Sequence, residues 1–295
     1  MRLIMKRSAL LLLSCSVLAG VSLYFSSTAP ALAEDAAAKP KPLKALLIAG
    51  GCCHDYKAQK DILKAGLEAR LNLEIEISYN PDSGVEPTFP QYEKDGWAKG
   101  FDLIIHDECA AGVKDLGYVN RVLQAHRDGV PGINLHCAMH SYRTASDYGK
   151  PVKPNTNDSL WFDYLGIQSS AHGAQLPIAI TYLDKSSPIT KNLPEWTTVN
   201  EELYNNVQIF PGAKPLARGK QGDGAKEGEN NSVAVWTNEY GDKKTRVFST
   251  TLGHNNETVA DDRYLDLVAQ GILWVTNQLN ADGTAKPGYS LVQKK

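Results

Sequence analysis

Asn134-Leu135-His136-Cys137-Ala138-Met139-His140-Ser141-Tyr142-Arg143 follows directly on the short apolar run Val130-Pro131-Gly132-Ile133. The pattern predicts a buried parallel strand over 130–135 that ends in a sharp turn leading towards a helix. In open α/β sheets, ligands occupy the crevice outside the carboxyl ends of the strands. Two histidines, a cysteine and an arginine between His136 and Arg143 therefore mark a candidate site. The plainer alternative is a buried thiol beside histidines satisfied by hydrogen bonds.

Upstream the same grammar repeats. Ala45 to Ala49 is a compact apolar strand, and Gly50-Gly51-Cys52-Cys53-His54-Asp55-Tyr56 is the turn after it. Lys57 to Leu71 carries Ile62, Leu63, Leu67 and Leu71 at helical spacing. Leu73 to Tyr79 alternates apolar with polar, a second strand; Asn80 to Pro90 is a proline-broken loop. Phe101 to Ile105 is a third strand, with His106-Asp107-Glu108-Cys109 expected as its turn. Lys114 to His126 is a helix, and 130–135 is the fourth strand. This order predicts an α/β fold with a mostly parallel, doubly wound sheet of flavodoxin-like type. It brings the turns after strands one, three and four to one edge.

The second half is less regular. Tyr142 to Asn157 is a polar excursion, and Ser159 to Leu165 a short helix closed by Gly166. Leu176 to Leu183 reads as a strand, Ser186 to Asn206 as loop containing Glu201-Glu202-Leu203-Tyr204, and Gly219 to Ser232 as a polar loop. Val233 to Trp236 and Arg246 to Thr250 form a hairpin, an antiparallel extension of the sheet. Leu252-Gly253-His254-Asn255-Asn256 is another strand-end turn, and Asp262 to Leu279 a final amphipathic helix. No internal repeat is visible.

The chain begins with Arg2, Lys6 and Arg7, then an apolar run from Ala9 to Phe25, then Ala31-Leu32-Ala33. This is the pattern of an export signal peptide over residues 1–33, giving a periplasmic or secreted protein. Removing 33 of the 295 residues leaves 262 and takes the formal charge from −2 to −5. A lipoprotein cleavage site at Cys15 ranks second. Residues 34–44 read as a flexible tether, 45–282 as one α/β domain and 283–295 as a C-terminal tail. No later stretch is long and apolar enough to span a membrane. The slightly acidic balance argues against nucleic acid, which needs a basic face. Cys52, Cys53, Cys109 and Cys137 allow at most two bridges. A bridge between adjacent Cys52 and Cys53 would strain the backbone, so a link from either to Cys109 or Cys137 is the easier geometry.

Several of these blocks occur together in one known family. Gly50-Gly51 with His54-Asp55, His136 to Arg143, Glu202-Leu203-Tyr204, and Val235-Trp236-Thr237, Tyr240-Gly241, Arg246-Val247-Phe248 and Leu252-Gly253-His254 resemble the ThuA-like, or trehalose-utilisation, proteins. The resemblance implies a class I glutamine amidotransferase-like fold and a link to sugar metabolism, without fixing a reaction. It also implies that Glu202 stands at the crevice beside Tyr204. Glutamine amidotransferase activity is not expected. Cys137 is followed by Ala138-Met139 rather than x-Gly, and no His-x-Glu follows it.

Three chemistries remain open. Imidazoles of His54, His136 and His140, with His254 from another turn, could hold a divalent metal such as zinc. Metal-free acid–base chemistry on a sugar or keto-sugar could instead use His140, Glu202 and His254 as catalytic residues, giving hydrolysis or elimination. Asp55, Arg143, Tyr204 and Trp236 are the candidate substrate-binding residues, with Trp161 or Trp236 able to stack on a sugar ring. A nucleophilic Cys137 is the third, and needs a depressed thiol pKa and access. A non-catalytic exported carbohydrate-binding module is the alternative to an enzyme.

Overall fold

The protein is represented by a computed structural model describing residues 40–222 and 233–291. The expected signal peptide, the first residues of the tether, most of the polar loop before Val233 and the last four residues lie outside the described residues.

Nine strands form one sheet among the described residues, in the order β2-β1-β3-β4-β9-β8-β7-β5-β6. They are β1 (Leu43–Gly51), β2 (Leu73–Asn80), β3 (Leu103–Cys109), β4 (Gly132–Leu135), β5 (Ile167–Tyr182), β6 (Trp196–Ile209), β7 (Lys214–Gln221), β8 (Val233–Tyr240) and β9 (Thr245–Thr250). Strands β2, β1, β3, β4 and β9 run parallel to their neighbours. From β9 outward the pairing is antiparallel, through β8, β7 and β5 to β6.

The helices are α1 (Tyr56–Glu68), α2 (Leu116–Arg127), α3 (Leu160–Leu165), α4 (Asn256–Val259) and α5 (Asp262–Val275). Because side chains alternate along a strand, β1 feeds both faces. Ala45 and Leu47 join Leu63 and Leu67 of α1 and Leu265, Val268 and Ile272 of α5 in one core. Leu46 and Ile48 join Val119, Val122 and Leu123 of α2 and Trp161 and Leu165 of α3 in the other. Strands covered on both faces read as continuous apolar runs, which is why β1 was legible. Asp55 ends the first turn by capping α1, its Oδ1 accepting from the Ala58 amide at 3.2 Å.

Four expectations need correction. His106, Asp107 and Glu108 do not form a turn; β3 continues through them to Cys109, and all three are buried. A hydrogen-bonded chain takes up the polarity of His106 and of Glu108 Oε1, while Asp107 Oδ2 and Glu108 Oε2 are buried with no hydrogen-bond partner. His106 Nδ1 is 2.8 Å from Glu108 Oε1, and His106 Nε2 is 3.0 Å from His126 Nε2. His126 Nδ1 in turn lies 2.7 Å from the Val130 carbonyl. Tyr142 donates to Glu108 Oε1 at 2.9 Å. The region 186–206 is not all loop, since Glu201 to Tyr204 lie within β6. Residues 219–221 belong to β7 rather than to a loop. Residues 283–291 are not a free tail: Ser290 bridges to Leu71, and the Asn72 amide donates to the Tyr289 carbonyl at 3.0 Å.

Candidate functional site

The turn after β1, the turn after β4, the turn after β9 and the middle of the β5–β6 ladder meet around one cavity. Its volume is about 380 Å3, and His54, Arg143, His172, Gln175, Glu202 and His254 are in its lining with Cys52, Cys53, Cys109 and Cys137. Three non-glycine residues in the turns around it hold left-handed backbone, Cys53 (φ 83°), His136 (φ 42°) and Tyr142 (φ 52°). Such conformations cluster where surrounding structure holds a functional geometry.

His54, His136 and His254 each bring one ring nitrogen to within 4.8 Å of the other two. The His54 ring centroid lies 4.5 Å from that of His136 and 4.7 Å from that of His254. His54 Nδ1 is buried with no hydrogen-bond partner. Burial first, then repulsion from His136 and His254, pushes the His54 imidazole down to about 2. An imidazole held neutral, with a lone pair unused, has the character of a metal ligand.

Glu202 sits among these rings. Its Oε2 is 3.4 Å from His136 Nε2 and 3.5 Å from His172 Nε2, and its Oε1 is 3.3 Å from His254 Nδ1. Burial acts to raise its carboxyl, but the His136 hydrogen bond and the charges of His136, His254 and His172 outweigh it and hold it at about 2. Tautomers sharpen the picture. His136 Nδ1 lies 2.6 Å from the Thr251 carbonyl, which can only accept, so the proton is on Nδ1. Its Nε2 is then the nitrogen that faces Glu202 and the Tyr204 hydroxyl, 3.3 Å away. His172 Nδ1 is likewise 3.0 Å from the Gly173 carbonyl, so its Nε2 is the nitrogen that faces Glu202. Ring nitrogens converging on a carboxylate call for a shared cation, either a proton or a metal ion.

The rim is held from below. Glu201, fully buried beside Glu202, accepts from the backbone amides of Gly253 (3.3 Å), His254 (3.0 Å) and Asn255 (3.2 Å). Gln59 donates to the carbonyls of Gly253 and His254 at 3.2 and 3.0 Å. The turn presenting His254 is thus pinned on both its donor and acceptor sides. Gly51 is required at the neighbouring turn, since at φ 97° a Cβ would overlap the Cys109 carbonyl.

The remaining expected residues divide. Tyr204 and Arg143 line the cavity; Arg143 donates to the Ser170 carbonyl at 3.0 Å and lies over the Tyr148 ring at 3.9 Å. Asp55 stays at the outer edge, capping α1 and accepting from Asn256 Nδ2 at 2.9 Å. Trp236 does not reach the cavity. It is buried, with Nε1 donating to the Leu165 carbonyl at 2.7 Å. Trp161 is core too, donating to the Ala138 carbonyl at 2.8 Å.

His140 is removed from the metal set and His254 replaces it. Residues 136–140 form a 3-10 turn, whose three residues per turn send positions four apart in different directions. His140 bonds Ser169 Oγ at 2.9 Å and stacks flat on Tyr204 at 4.3 Å, lining the cavity without joining the other three rings. Burial, then Arg143, drives its imidazole well below the ordinary range. The cysteine expectation also fails. Cys52 pairs with Cys53 and Cys109 with Cys137, the left-handed backbone at Cys53 accommodating the adjacent pair.

His172, Gln175 and Glu201 are contributors that sequence reading passed over. His172 lies opposite Tyr204 in the β5–β6 ladder and Gln175 opposite Glu202. Gln175 Nε2 is 3.2 Å from Glu202 Oε1 and 2.9 Å from His254 Nε2. A register between the two strands would have exposed both.

The sequence profile of the ThuA family, described as trehalose utilisation, matches residues 99–275. The chain belongs to the ThuA family. A ThuA-like protein from Parabacteroides merdae superposes with a TM-score of 0.59 at 16% identity, over 83% of this chain and 97% of its own. A second ThuA-like protein, from Bacteroides uniformis, gives 0.54 at 16% identity over 81% and 93%. A glutamine amidotransferase from Thermotoga maritima shows a weaker likeness, 0.42 at 8% identity over 79% and 98%. No curated protein matches the chain. The ThuA profile spans β4, His136, Glu202 and His254 but begins after the turn carrying His54.

Proposed function

We propose that this ThuA protein is an exported enzyme of carbohydrate breakdown, catalysing hydrolysis or elimination on a sugar or keto-sugar. One observation carries the reading: an ionised Glu202 lies within 3.5 Å of three imidazoles from separate segments, in a cavity large enough for a small sugar. The sugar itself rests on the family description.

Glu202, held as a carboxylate, is the base that takes a proton from a carbon beside a sugar carbonyl or from a water. His254 is the complementary acid–base partner, oriented by Gln175 and by the Glu201-pinned turn. Arg143, fixed by the Ser170 carbonyl, holds a substrate hydroxyl or carboxylate. The orphaned His54 Nδ1 fits a divalent cation such as zinc, which His54, His136 and His254 would hold, His254 then serving as ligand in place of its acid–base role. When bound, that ion supplies a Lewis acid for the sugar oxygen. Export rests on the leader pattern of residues 1–33. Glutamine chemistry is disfavoured because Cys137 is bridged to Cys109.

The test is elemental analysis of purified protein together with a screen of glycosides and keto-glycosides. Glu202→Gln should lower turnover on the order of 10²–10⁴-fold while sugar binding persists. Loss of binding alone, with no turnover in the wild type, would instead identify a carbohydrate-binding module. That module reading lacks a stacking indole, since Trp161 and Trp236 are both core.

A further inference from the structure

The cavity that holds Glu202 is also lined by four cysteines that the proposed reaction does not use. Cys53 is exposed, whereas Cys52, Cys109 and Cys137 are buried at 8%, 2% and 6% exposure. The sulfurs of Cys52, Cys53 and Cys109 lie within 4.8 Å of one another, and Cys52 Sγ is 3.5 Å from Cys109 Sγ. That is van der Waals contact between one bridge and the next. An exposed sulfur is thereby joined to a buried bridge through a single intermediate.

We propose that these cysteines form a thiol–disulfide exchange site, in which an external dithiol reduces the buried Cys109–Cys137 bridge through the Cys52–Cys53 pair. The steps balance. A thiolate of the dithiol attacks Cys53 Sγ, breaking the Cys52–Cys53 bond and releasing Cys52 as thiolate. Cys52 attacks Cys109 Sγ, forming Cys52–Cys109 and releasing the Cys137 thiolate. The second thiol of the dithiol attacks the dithiol's own sulfur in the mixed disulfide, so that the dithiol leaves as an oxidised disulfide and the Cys53 thiolate is freed. Cys53 attacks Cys52 Sγ, restoring the adjacent pair and releasing Cys109. The dithiol loses two electrons and two protons, and Cys109 and Cys137 gain them.

The exchange also reaches the site. The Cys109–Cys137 bridge ties the end of β3 to the turn that begins at His136. Opening it untethers that turn and places two thiols in the cavity wall.

The experiment uses the full chain treated with substoichiometric reduced thioredoxin, a dithiol too large to enter the cavity. Samples are quenched with acid, alkylated and mapped by mass spectrometry. Label is expected at Cys109 and Cys137 before Cys52 and Cys53, with a trapped Cys52–Cys109 peptide pair during the reaction. In the double variant Cys52→Ser with Cys53→Ser, reduction of Cys109–Cys137 should slow at least roughly tenfold. Label confined to Cys52 and Cys53 in the wild type, with Cys109–Cys137 intact, would overturn the proposal. So would an unchanged rate in the double variant. If that variant does not fold, the labelling order and the trapped pair in the wild type decide by themselves.

Discussion

Replacing Glu201 should damage the site although its own side chain is not part of the cavity lining. Its carboxylate is fully buried and accepts three backbone amides of the turn that carries His254. A buried donor left unpaired costs about 1–3 kcal/mol, and charged acceptors stand at the upper end. Gly253 is buried and should suffer that cost in full, whereas His254 and Asn255 are half-buried and can recover part of it from water. Glu201→Ala is therefore expected to lose about 2–4 kcal/mol of stability. Glu201→Gln keeps one oxygen for the Gly253 and His254 amides but turns an amide group towards Asn255, and should lose about 1–2 kcal/mol. Urea denaturation gives both values. Isothermal titration with zinc gives a second readout, where Glu201→Ala should weaken binding by roughly 10–100-fold, as supporting residues of metal ligands do. A loss under about 1 kcal/mol, or zinc affinity equal to wild type in a destabilised protein, would refute the reasoning that Glu201 sets the position of His254.

Three further outcomes follow from buried groups elsewhere. Burial, then the Glu108 charge, holds the Asp107 carboxyl well above its ordinary 3.8. The folded protein thus keeps a proton that the unfolded chain releases above that value, and stability falls as pH rises through the interval. Asp107→Asn should raise Tm, with a larger gain at pH 8 than at pH 5; an equal gain at both would count against it. Gly51→Ala, at φ 97° and against the Cys109 carbonyl, should cost at least about 2 kcal/mol by thermal unfolding. Trp236→Phe leaves the Leu165 carbonyl without its donor and should cost about 1–2 kcal/mol while sugar binding is unchanged; altered binding would return Trp236 to the cavity.

The parallel half of the sheet was legible because its strands are buried on both faces and its helices carry regular apolar stripes. Leu46 to Ala49 and Ile62 to Leu67 could hardly be read otherwise. The antiparallel half was not, for a definite reason. In β6, at the sheet edge, Glu201, Glu202, Asn205 and Asn206 stand where a strand signal needs apolar alternation. Residues chosen for the site overwrite the periodicity that would reveal the strand. The same happened in β3, where His106 to Glu108 imitate a turn by polarity. Convergence of His54, His136 and His254 was foreseeable from strand ends alone. The exclusion of His140 was not, because it depends on whether residues 136–140 wind with three or 3.6 residues per turn.

The histidine chain that runs from β3 to α2 has a direction, and the direction follows its hydrogens. The Val130 oxygen only accepts, so His126 must place its hydrogen on Nδ1. Burial first, and His106 next, keep His126 uncharged, so its Nε2 receives the Nε2 hydrogen of His106. His106 Nδ1 is then left to face Glu108 Oε1 at 2.8 Å. The central strand therefore threads two ionisable side chains through an apolar interior by passing polarity from one partner to the next, out to the Val130 carbonyl. A glutamine at 108 preserves that polarity by offering its amide hydrogen to Nδ1; an asparagine at 106 is too short to touch both neighbours.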